Sequence, residues 1–216
     1  MPVIHLVRHG QASFGTDNYD LLSPLGHEQA ATTGRELARR GTRTPIMVSG
    51  SLQRQRRTAE IIAGELGLAE SAVSTDVRWN EFDAHALVDA RLGSHGASGG
   101  LSSKEFQVEL DCEMQAWIDG GISAWRSFSN GALAALAWIA EETPKGCEAI
   151  VATSAGVTAA VVGQLLGLDA RGVIALNRVS VNASITTVLS GARGLSLLTF
   201  NDHAHVIGRA GLVTNR

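Results

Sequence analysis

The chain has 216 residues, of which 44% are hydrophobic and 18% are charged, and its formal net charge is −3. This length suits one α/β domain with a sizeable core, and the mildly acidic balance gives no reason to expect nucleic acid or a membrane as a partner. The two cysteines have no metal-type spacing, and neither a signal peptide nor a membrane span is visible, so we expect a cytoplasmic protein with reduced thiols.

Strands and helices alternate along most of the chain. Runs of apolar residues predict strands over 3–7, 46–49, 73–79, 149–153, 183–189 and 195–200. Helical spacing of apolar residues predicts helices over 24–40, 52–66, 130–142, 157–166 and 170–176. Ser23 and Pro24 suit the N-cap and the first position of the first helix. This alternation predicts a three-layer α/β/α fold, with a mainly parallel sheet and helices on both faces.

The stretch from 84 to 130 has the weakest pattern. Residues 93–100 are rich in Gly, Ser and Ala and predict a mobile loop, with helical pieces at about 105–117 and beginning near 129. We interpret this stretch as a variable insertion near the active site, within a single domain that covers 1–216.

Polar residues follow several of the predicted strands. Arg8 and His9 end the first strand, Arg54 follows the second, Glu81 follows the third, and Ser154 follows the fourth. Ligands of open α/β sheets bind outside the carboxyl ends of the strands. The sequence therefore predicts that these side chains meet at one edge of the sheet.

Five ordered segments resemble the signatures of one known family. They are Leu6-Val7-Arg8-His9-Gly10-Gln11, Leu22-Ser23-Pro24-Leu25-Gly26 with Gln29-Ala30, Gly50-Ser51-Leu52-Gln53-Arg54 with Thr58-Ala59, Trp79-Asn80-Glu81-Phe82, and Asn201-Asp202-His203-Ala204-His205. Together they resemble the histidine phosphatase superfamily, the phosphoglycerate-mutase-like proteins. The resemblance spans most of the chain except about 84–130 and implies a phosphoglycerate-mutase-like fold.

The resemblance implies covalent phosphoryl transfer. His9 would attack phosphorus and become a phosphohistidine, and a neutral imidazole is a suitable nucleophile near pH 7. Arg8 and Arg54 would bind the phosphate, because guanidinium groups offer two fixed donors. Glu81 would protonate the leaving oxygen and then activate water. The resemblance implies no metal and no other cofactor, and its substrate class is a small phosphorylated molecule or inorganic phosphate.

The chain departs from the family pattern at three places. Ser154-Ala155 occupies the place where the family normally carries a second active-site histidine followed by glycine, Gln55 replaces a usual alanine, and Gly15 stands where many members have an asparagine. Ser154 and Ala155 remain candidate phosphate-binding residues.

Several further side chains are candidates for the site. Gln11 could contact the phosphate, Arg57 or His205 could supply the missing positive charge, with His203 as a weaker candidate, and Asp83 is a spare carboxylate. His5, inside the first strand, is interpreted as a core histidine.

The sequence leaves two functions open. The first is a phosphatase, weak or specialised if the second histidine is absent, and the second is a phosphate-binding protein of the same fold that does not turn its ligand over. A phosphoglycerate-type mutase is a weaker alternative, because a mutase must keep its phosphohistidine from water. The substrate and the oligomeric state stay open, with a homodimer among the alternatives.

Overall fold

The computed structural model describes residues 1–13, 20–120, 123–209 and 211–215. Gly15 lies outside the described residues. Across the described ranges the strands are β1 (Val3–Arg8), β2 (Ile46–Ser49), β3 (Val73–Thr75), β4 (Glu148–Thr153), β5 (Ile185–Gly191) and β6 (Gly194–Asp202). The helices are α1 (Pro24–Arg40), α2 (Gln53–Glu65), α3 (Ala84–Leu92), α4 (Ser103–Asp119), α5 (Ser123–Glu142), α6 (Ala155–Leu166) and α7 (Ala170–Val179).

The strands form one mixed sheet in the order β3-β2-β4-β1-β5-β6. β3, β2, β4 and β1 are parallel, and β5 runs antiparallel to both of its neighbours. In the central pair, His5 lies opposite Ile150 and Arg8 lies opposite Thr153, so β1 and β4 end at the same edge. The predicted α/β fold with a mainly parallel sheet is confirmed.

Helices cover both faces of the sheet because its central strands are apolar on both sides. Leu6 and Val151 pack in one core cluster with Leu136 of α5 and with residues of α6. Val7 and Ile150, one position along in each strand, pack in a second cluster with residues of α1 and α2. Side chains alternate between the faces of a strand, so these two clusters are the two sides of a three-layer structure.

Two predicted boundaries are wrong. A side-chain cap ends one strand early, and an apolar face extends one helix toward its N-terminus. The predicted strand 73–79 ends at Thr75, and Val77–Trp79 forms a short 3₁₀ turn that is capped by the Asp76 carboxylate. The helix predicted to begin at 130 begins at Ser123, because the aromatic rings of Trp125 and Phe128 pack against Trp117 of α4.

The weakly patterned stretch is largely helical. Within the predicted loop 93–100, Ala97–Gly100 forms a 3₁₀ turn. The Asp89 carboxylate accepts the N–H of Gly96 at 2.6 Å and that of Ser98 at 2.8 Å. The predicted loop therefore contains a 3₁₀ turn and is joined to α3 by the Asp89 carboxylate. No helix in the described part of the chain is long and apolar enough to cross a membrane.

Candidate active site

A cavity of about 530 Å³ opens at the carboxyl edge of the sheet, where β1 and β4 end. Its walls include five predicted site residues, Arg8, His9, Arg54, Glu81 and Ala155. The topology explains their meeting, because the carboxyl ends of neighbouring parallel strands lie at one edge of a sheet.

The backbone and one ring nitrogen hold His9 in place. Its N–H donates to the Thr153 carbonyl at 2.9 Å, and its Nδ1 lies 2.7 Å from the Gly10 carbonyl oxygen. A carbonyl only accepts, so this contact assigns the hydrogen to Nδ1 and leaves a lone pair on Nε2. Burial lowers the pKa of His9 well below its usual 6.5, and the nearby charges of Arg54 and Arg8 lower it further. The imidazole is therefore neutral near pH 7.

The glycine after His9 is required by a close approach of α1. A Cβ atom on Gly10 would lie 2.2 Å from the Gly26 carbonyl oxygen, and one on Gly26 would lie 2.1 Å from the Gln11 carbonyl oxygen. The Gly10 N–H donates to the Thr58 hydroxyl at 3.1 Å, which joins this turn to α2. The two glycines thus let the loop after His9 pack directly on the start of α1.

Two guanidinium groups flank His9. Nε of Arg54 donates to Nε2 of His9 at 3.2 Å, and Nη1 of Arg54 donates to Asp20 Oδ1 at 2.6 Å. Asp20 Oδ2 also accepts the Gln53 N–H at 2.8 Å, so one carboxylate holds both the start of α2 and the Arg54 side chain. Arg8 donates through Nη1 to the Ser180 carbonyl. Both arginines line the cavity and are suited to binding a phosphate.

The Glu81 carboxyl group faces the first turn of α6. Its Oε2 accepts the Gly156 N–H at 2.9 Å and its Oε1 accepts the Phe82 N–H at 3.2 Å. Burial raises the pKa of Glu81 above its usual 4.5, although these two hydrogen bonds and the charges of Arg54 and Arg8 oppose the rise. A carboxyl group with a raised pKa is suited to proton transfer near neutral pH.

Ser154 and Ala155 lie at the end of β4 but in different surroundings. Ala155, the first residue of α6, lines the cavity. Ser154 is fully buried, and its Oγ accepts a hydrogen bond from Gln55 Nε2 at 2.8 Å. The same Gln55 nitrogen donates to the Trp79 carbonyl at 2.9 Å. Ser154 is therefore bound to Gln55 behind the cavity wall, rather than forming part of the wall.

Two other candidates, Gln11 and Arg57, lie away from the cavity. The Gln11 side chain accepts from the Ser23 hydroxyl at 3.0 Å. The Arg57 guanidinium forms ion pairs with Glu60 and Glu70 on the surface. The structure does not bring either side chain to the cavity.

His205 and the other histidines have structural contacts. His205 Nε2 lies 3.0 Å from the Thr33 hydroxyl and 3.1 Å from the Ala183 carbonyl oxygen. His203 Nδ1 lies 2.6 Å from the Asn201 carbonyl oxygen. His5 is buried, and its Nδ1 lies 3.2 Å from the Thr187 hydroxyl, as expected of a core histidine. The spare carboxylate, by contrast, is at the cavity, because Asp83 lines it and also caps α3.

Sequence reasoning missed most of the remaining wall. It comes from α3, α4, the segment between them, α7 and the C-terminal segment, and includes Ala84, His85, Ser98, Leu101, Phe106, Gln107, Leu110, Asn177, Arg178 and Asn215. The helical spacing of Phe106 and Leu110 on α4 was a usable signal for a shared face. The Asp20–Arg54 contact had no such signal, because it joins residues 34 positions apart.

Comparisons with known proteins give one consistent answer. A model of the histidine phosphatase superfamily (branch 1) matches residues 4–203. A 2,3-bisphosphoglycerate-dependent phosphoglycerate mutase from Chelativorans sp. (strain BNC1) is 38% identical over 84 residues, which are 36% of this chain and 41% of that protein. The chain spans about half the length of the curated mutases that it matches.

Solved structures match nearly the whole chain at low identity. A phosphoserine phosphatase from Entamoeba histolytica in complex with 3-phosphoglyceric acid is 20% identical, with a TM-score of 0.68 over 96% of this chain and 100% of that one. A mycobacterial glucosyl-3-phosphoglycerate phosphatase is 21% identical, with a TM-score of 0.61 over 93% of this chain and 98% of that one. At this identity the likeness establishes the fold, which is phosphoglycerate-mutase-like.

Proposed function

This chain belongs to the histidine phosphatase superfamily (branch 1), and from that premise we propose that it hydrolyses a small phosphate monoester through a phosphohistidine on His9. One observation carries the proposal: a neutral His9 Nε2 beside the Arg54 guanidinium shares a cavity with the Glu81 carboxyl group. Solved phosphatases and curated mutases that resemble the chain are consistent with a small phosphorylated substrate.

In the first step, Arg8 and Arg54 hold the phosphoryl oxygens and the Nε2 lone pair attacks phosphorus. The Nε2–P bond forms as the P–O bond to the alcohol breaks, and the leaving oxygen takes the proton from Glu81. Throughout this step the Gly10 carbonyl oxygen accepts a hydrogen bond from Nδ1–H, and it so stabilises the positive charge that develops on the imidazole ring. Positioning and electrostatic stabilisation are the main requirements of phosphoryl transfer, and two guanidinium groups supply both.

In the second step, water replaces the alcohol. The Glu81 carboxylate takes a proton from water as the water oxygen attacks phosphorus, and the bonding pair of the P–N bond returns to Nε2. Inorganic phosphate leaves, and both side chains regain their starting protonation states. Each step uses groups of this chain, so we propose a metal-independent reaction.

We further propose that Ser154 occupies the place of the family's second histidine. A serine hydroxyl carries no positive charge, and this one is buried and bonded to Gln55. The loss of one preorganised donor typically costs about 10²–10³ in rate. This observation favours a second candidate function, a phosphate-binding protein that turns its ligand over slowly or not at all.

One kinetic experiment separates these functions. The purified chain is assayed for release of inorganic phosphate from an alkyl phosphate in EDTA, together with His9→Ala, Glu81→Gln and the control His203→Ala, which lies outside the cavity wall. We expect the first two variants to lose activity by at least about 10² and the control to match the wild type. An alkaline quench followed by mass spectrometry should find the phosphoryl group on the peptide that contains His9.

Each other outcome has a defined meaning. Activity that survives His9→Ala unchanged would refute the phosphohistidine mechanism. Tight binding of inorganic phosphate without hydrolysis of any ester would favour the binding function, and loss of hydrolysis in EDTA that returns with added metal would refute metal independence.

A further inference from the structure

The cavity is larger than a phosphoryl group needs. Its volume of about 530 Å³ lies within the range of about 300–1,000 Å³ that is typical of pockets for drug-sized ligands. Beyond the phosphate-binding residues, its walls carry the apolar side chains of Leu52, Phe82, Leu101, Phe106 and Leu110. The volume and these walls suit an alcohol with an extended apolar body.

The aromatic walls are held in place by their neighbours. The Phe82 ring makes edge contacts with Trp117 at 5.4 Å and with Phe128 at 5.7 Å between centroids. The Phe106 ring lies 4.7 Å from the His85 ring, and His85 Nδ1 lies 3.1 Å from the Ser98 hydroxyl. An apolar surface that is already formed costs little ordering when a ligand binds.

Beyond the phosphate-binding end, the positively charged side chain of the cavity wall is held in an ion pair. This side chain is Arg178, which the described lining residues include in addition to Arg8 and Arg54. Its Nε donates to Asp111 Oδ2 at 2.7 Å, and its Nη2 donates to the same oxygen. Asp111 is 8% exposed and also accepts from Gln107 Nε2 at 2.9 Å. Because a buried carboxylate without its cation is costly, Asp111 keeps Arg178 from a ligand's carboxylate.

The other charges of the wall also disfavour an anionic alcohol. The Asp83 carboxyl group lines the same cavity. A carboxylate on the alcohol half of the substrate would therefore meet this acidic side chain and an arginine that is already paired.

We propose that the cavity selects phosphate monoesters of uncharged, largely apolar alcohols, and that Asp111 sets this specificity by holding Arg178 in an ion pair. The inference rests on the proposed phosphatase function and adds the class of alcohol to it. Asp111 acts through Arg178, so it is a positioning residue and takes no part in the chemistry.

Three alkyl phosphates with similar leaving groups test the proposal. Ethyl phosphate, hexyl phosphate and 6-phosphooxyhexanoate differ in apolar length and in one terminal carboxylate. We expect kcat/KM for hexyl phosphate to exceed that for ethyl phosphate by about tenfold or more, because hydrophobic pockets discriminate at this level per few methylenes. We expect the carboxylated ester to be about tenfold poorer than hexyl phosphate.

A matched pair of variants on α4 tests the role of Asp111. Asp111→Asn removes the charge and keeps the shape, and it should improve the carboxylated ester relative to hexyl phosphate by about tenfold, chiefly through KM. Asp119→Asn is the control, since Asp119 also accepts from a glutamine four residues earlier, Gln115, but lies outside the cavity wall. The control should leave the ratio unchanged.

The outcomes separate the specificity from the function. Equal kcat/KM for ethyl and hexyl phosphate, or a preference for the carboxylated ester, would overturn the specificity while phosphatase activity stands. An unchanged ratio in a folded Asp111→Asn would overturn the role of Asp111, and if that variant does not fold, Arg178→Gln tests the same pair. It leaves the Asp111 carboxylate without its cation, so the carboxylated ester should become poorer relative to hexyl phosphate, and an unchanged or improved ratio would count against the role of the pair. Failure to hydrolyse any of the three esters or an aryl phosphate would instead refute the proposed function.

Discussion

Gly156 offers the sharpest test of the acid role of Glu81. It lies in the first turn of α6, and its N–H donates to Glu81 Oε2. A Cβ atom there would lie 2.3 Å from Glu81 Oε1 and 2.3 Å from Phe82 Cε1, whereas real Cβ contacts stay above 3.0 Å. In Gly156→Ala, the carboxyl group and the ring must both move by about 0.7 Å or more.

The size of the effect on catalysis depends on how far the Glu81 carboxyl group is displaced. The Phe82 ring is packed on Trp117 and Phe128 and resists movement, so we expect the carboxyl group to move the more of the two. General acid catalysis typically contributes 10²–10⁴ in rate, so we expect kcat for an alkyl phosphate to fall by about 10². The alanine adds about 1–3 kcal/mol of overpacking and gains about 0.5–1 kcal/mol of helix propensity, for a net loss of about 1 kcal/mol of stability.

Substrates with different leaving groups distinguish the acid role from general damage. A nitrophenolate leaves without a proton, whereas an alkoxide does not. Because kcat/KM reports the steps up to release of the alcohol, before Glu81 acts on water, kcat/KM for 4-nitrophenyl phosphate should fall much less than kcat/KM for an alkyl phosphate. Inhibition by inorganic phosphate should stay near the wild-type value, because Arg8 and Arg54 are untouched.

The matched control is Gly131→Ala on α5, where a Cβ atom meets nothing within 4 Å. It should gain about 0.5–1 kcal/mol without any change in kinetics. An equal fall of kcat/KM for both esters in Gly156→Ala would contradict the assignment of Glu81 as the acid.

Two further predictions concern the Ser154 side of the site and the pH dependence of catalysis. Ser154→His alone should lower stability by about 1–3 kcal/mol in urea unfolding without raising kcat, because Gln55 occupies the adjacent space. Ser154→His combined with Gln55→Ala should raise kcat, by up to about 10²–10³; a gain in the single variant would show that Gln55 is no obstacle. The pH profile of kcat/KM should rise through the pKa of His9, which burial places below 6.5, and fall as Glu81, with its pKa raised above 4.5, loses its proton. Glu81→Gln should remove the alkaline limb and keep the acid limb.

The sequence predicts the part of the site that topology alone assembles. Arg8, His9, Arg54 and Glu81 follow strands, or the turns that leave them, and a parallel sheet brings such positions to one edge whatever the rest of the chain does. Helix α2 shows the limit of this reasoning. Arg57 is three residues from Arg54 and shares its side of the helix, but Glu60 and Glu70 pair with it at the surface. The local sequence pattern predicts the side of α2 on which Arg57 lies, but it does not predict the acidic side chains that pair with Arg57.

The residues of the cavity wall could not be predicted from the sequence for a different reason. They come largely from α3, α4 and α7 and lie as far apart in the chain as Ala84 and Arg178. These helices converge through a core cluster of Val88, Leu110, Met114 and Ile174. Helical spacing identifies an apolar face and leaves open which element it packs on. Asp111 and Arg178 are 67 positions apart, so their pairing follows only from the packing of α4 on α7.

The two departures from the family pattern at Gln55 and Ser154 are in contact, which changes how the proposed site should be judged. A phosphate monoester dianion carries two negative charges, and two guanidinium groups already lie in the cavity wall, Arg8 and Arg54, the second with Asp20 as its ion-pair partner. A third buried cation would lower the pKa of His9 still further and would itself need a partner. The neutral Gln55–Ser154 pair avoids both costs, and it ties Trp79, two residues before Glu81, to the residue that precedes α6. The helix end carries a partial positive charge at Ala155, so keeping it rigid still favours an anion there. Turnover in this chain then depends both on the absent charge and on how firmly the Gln55–Ser154 pair holds Glu81 and the start of α6 in position.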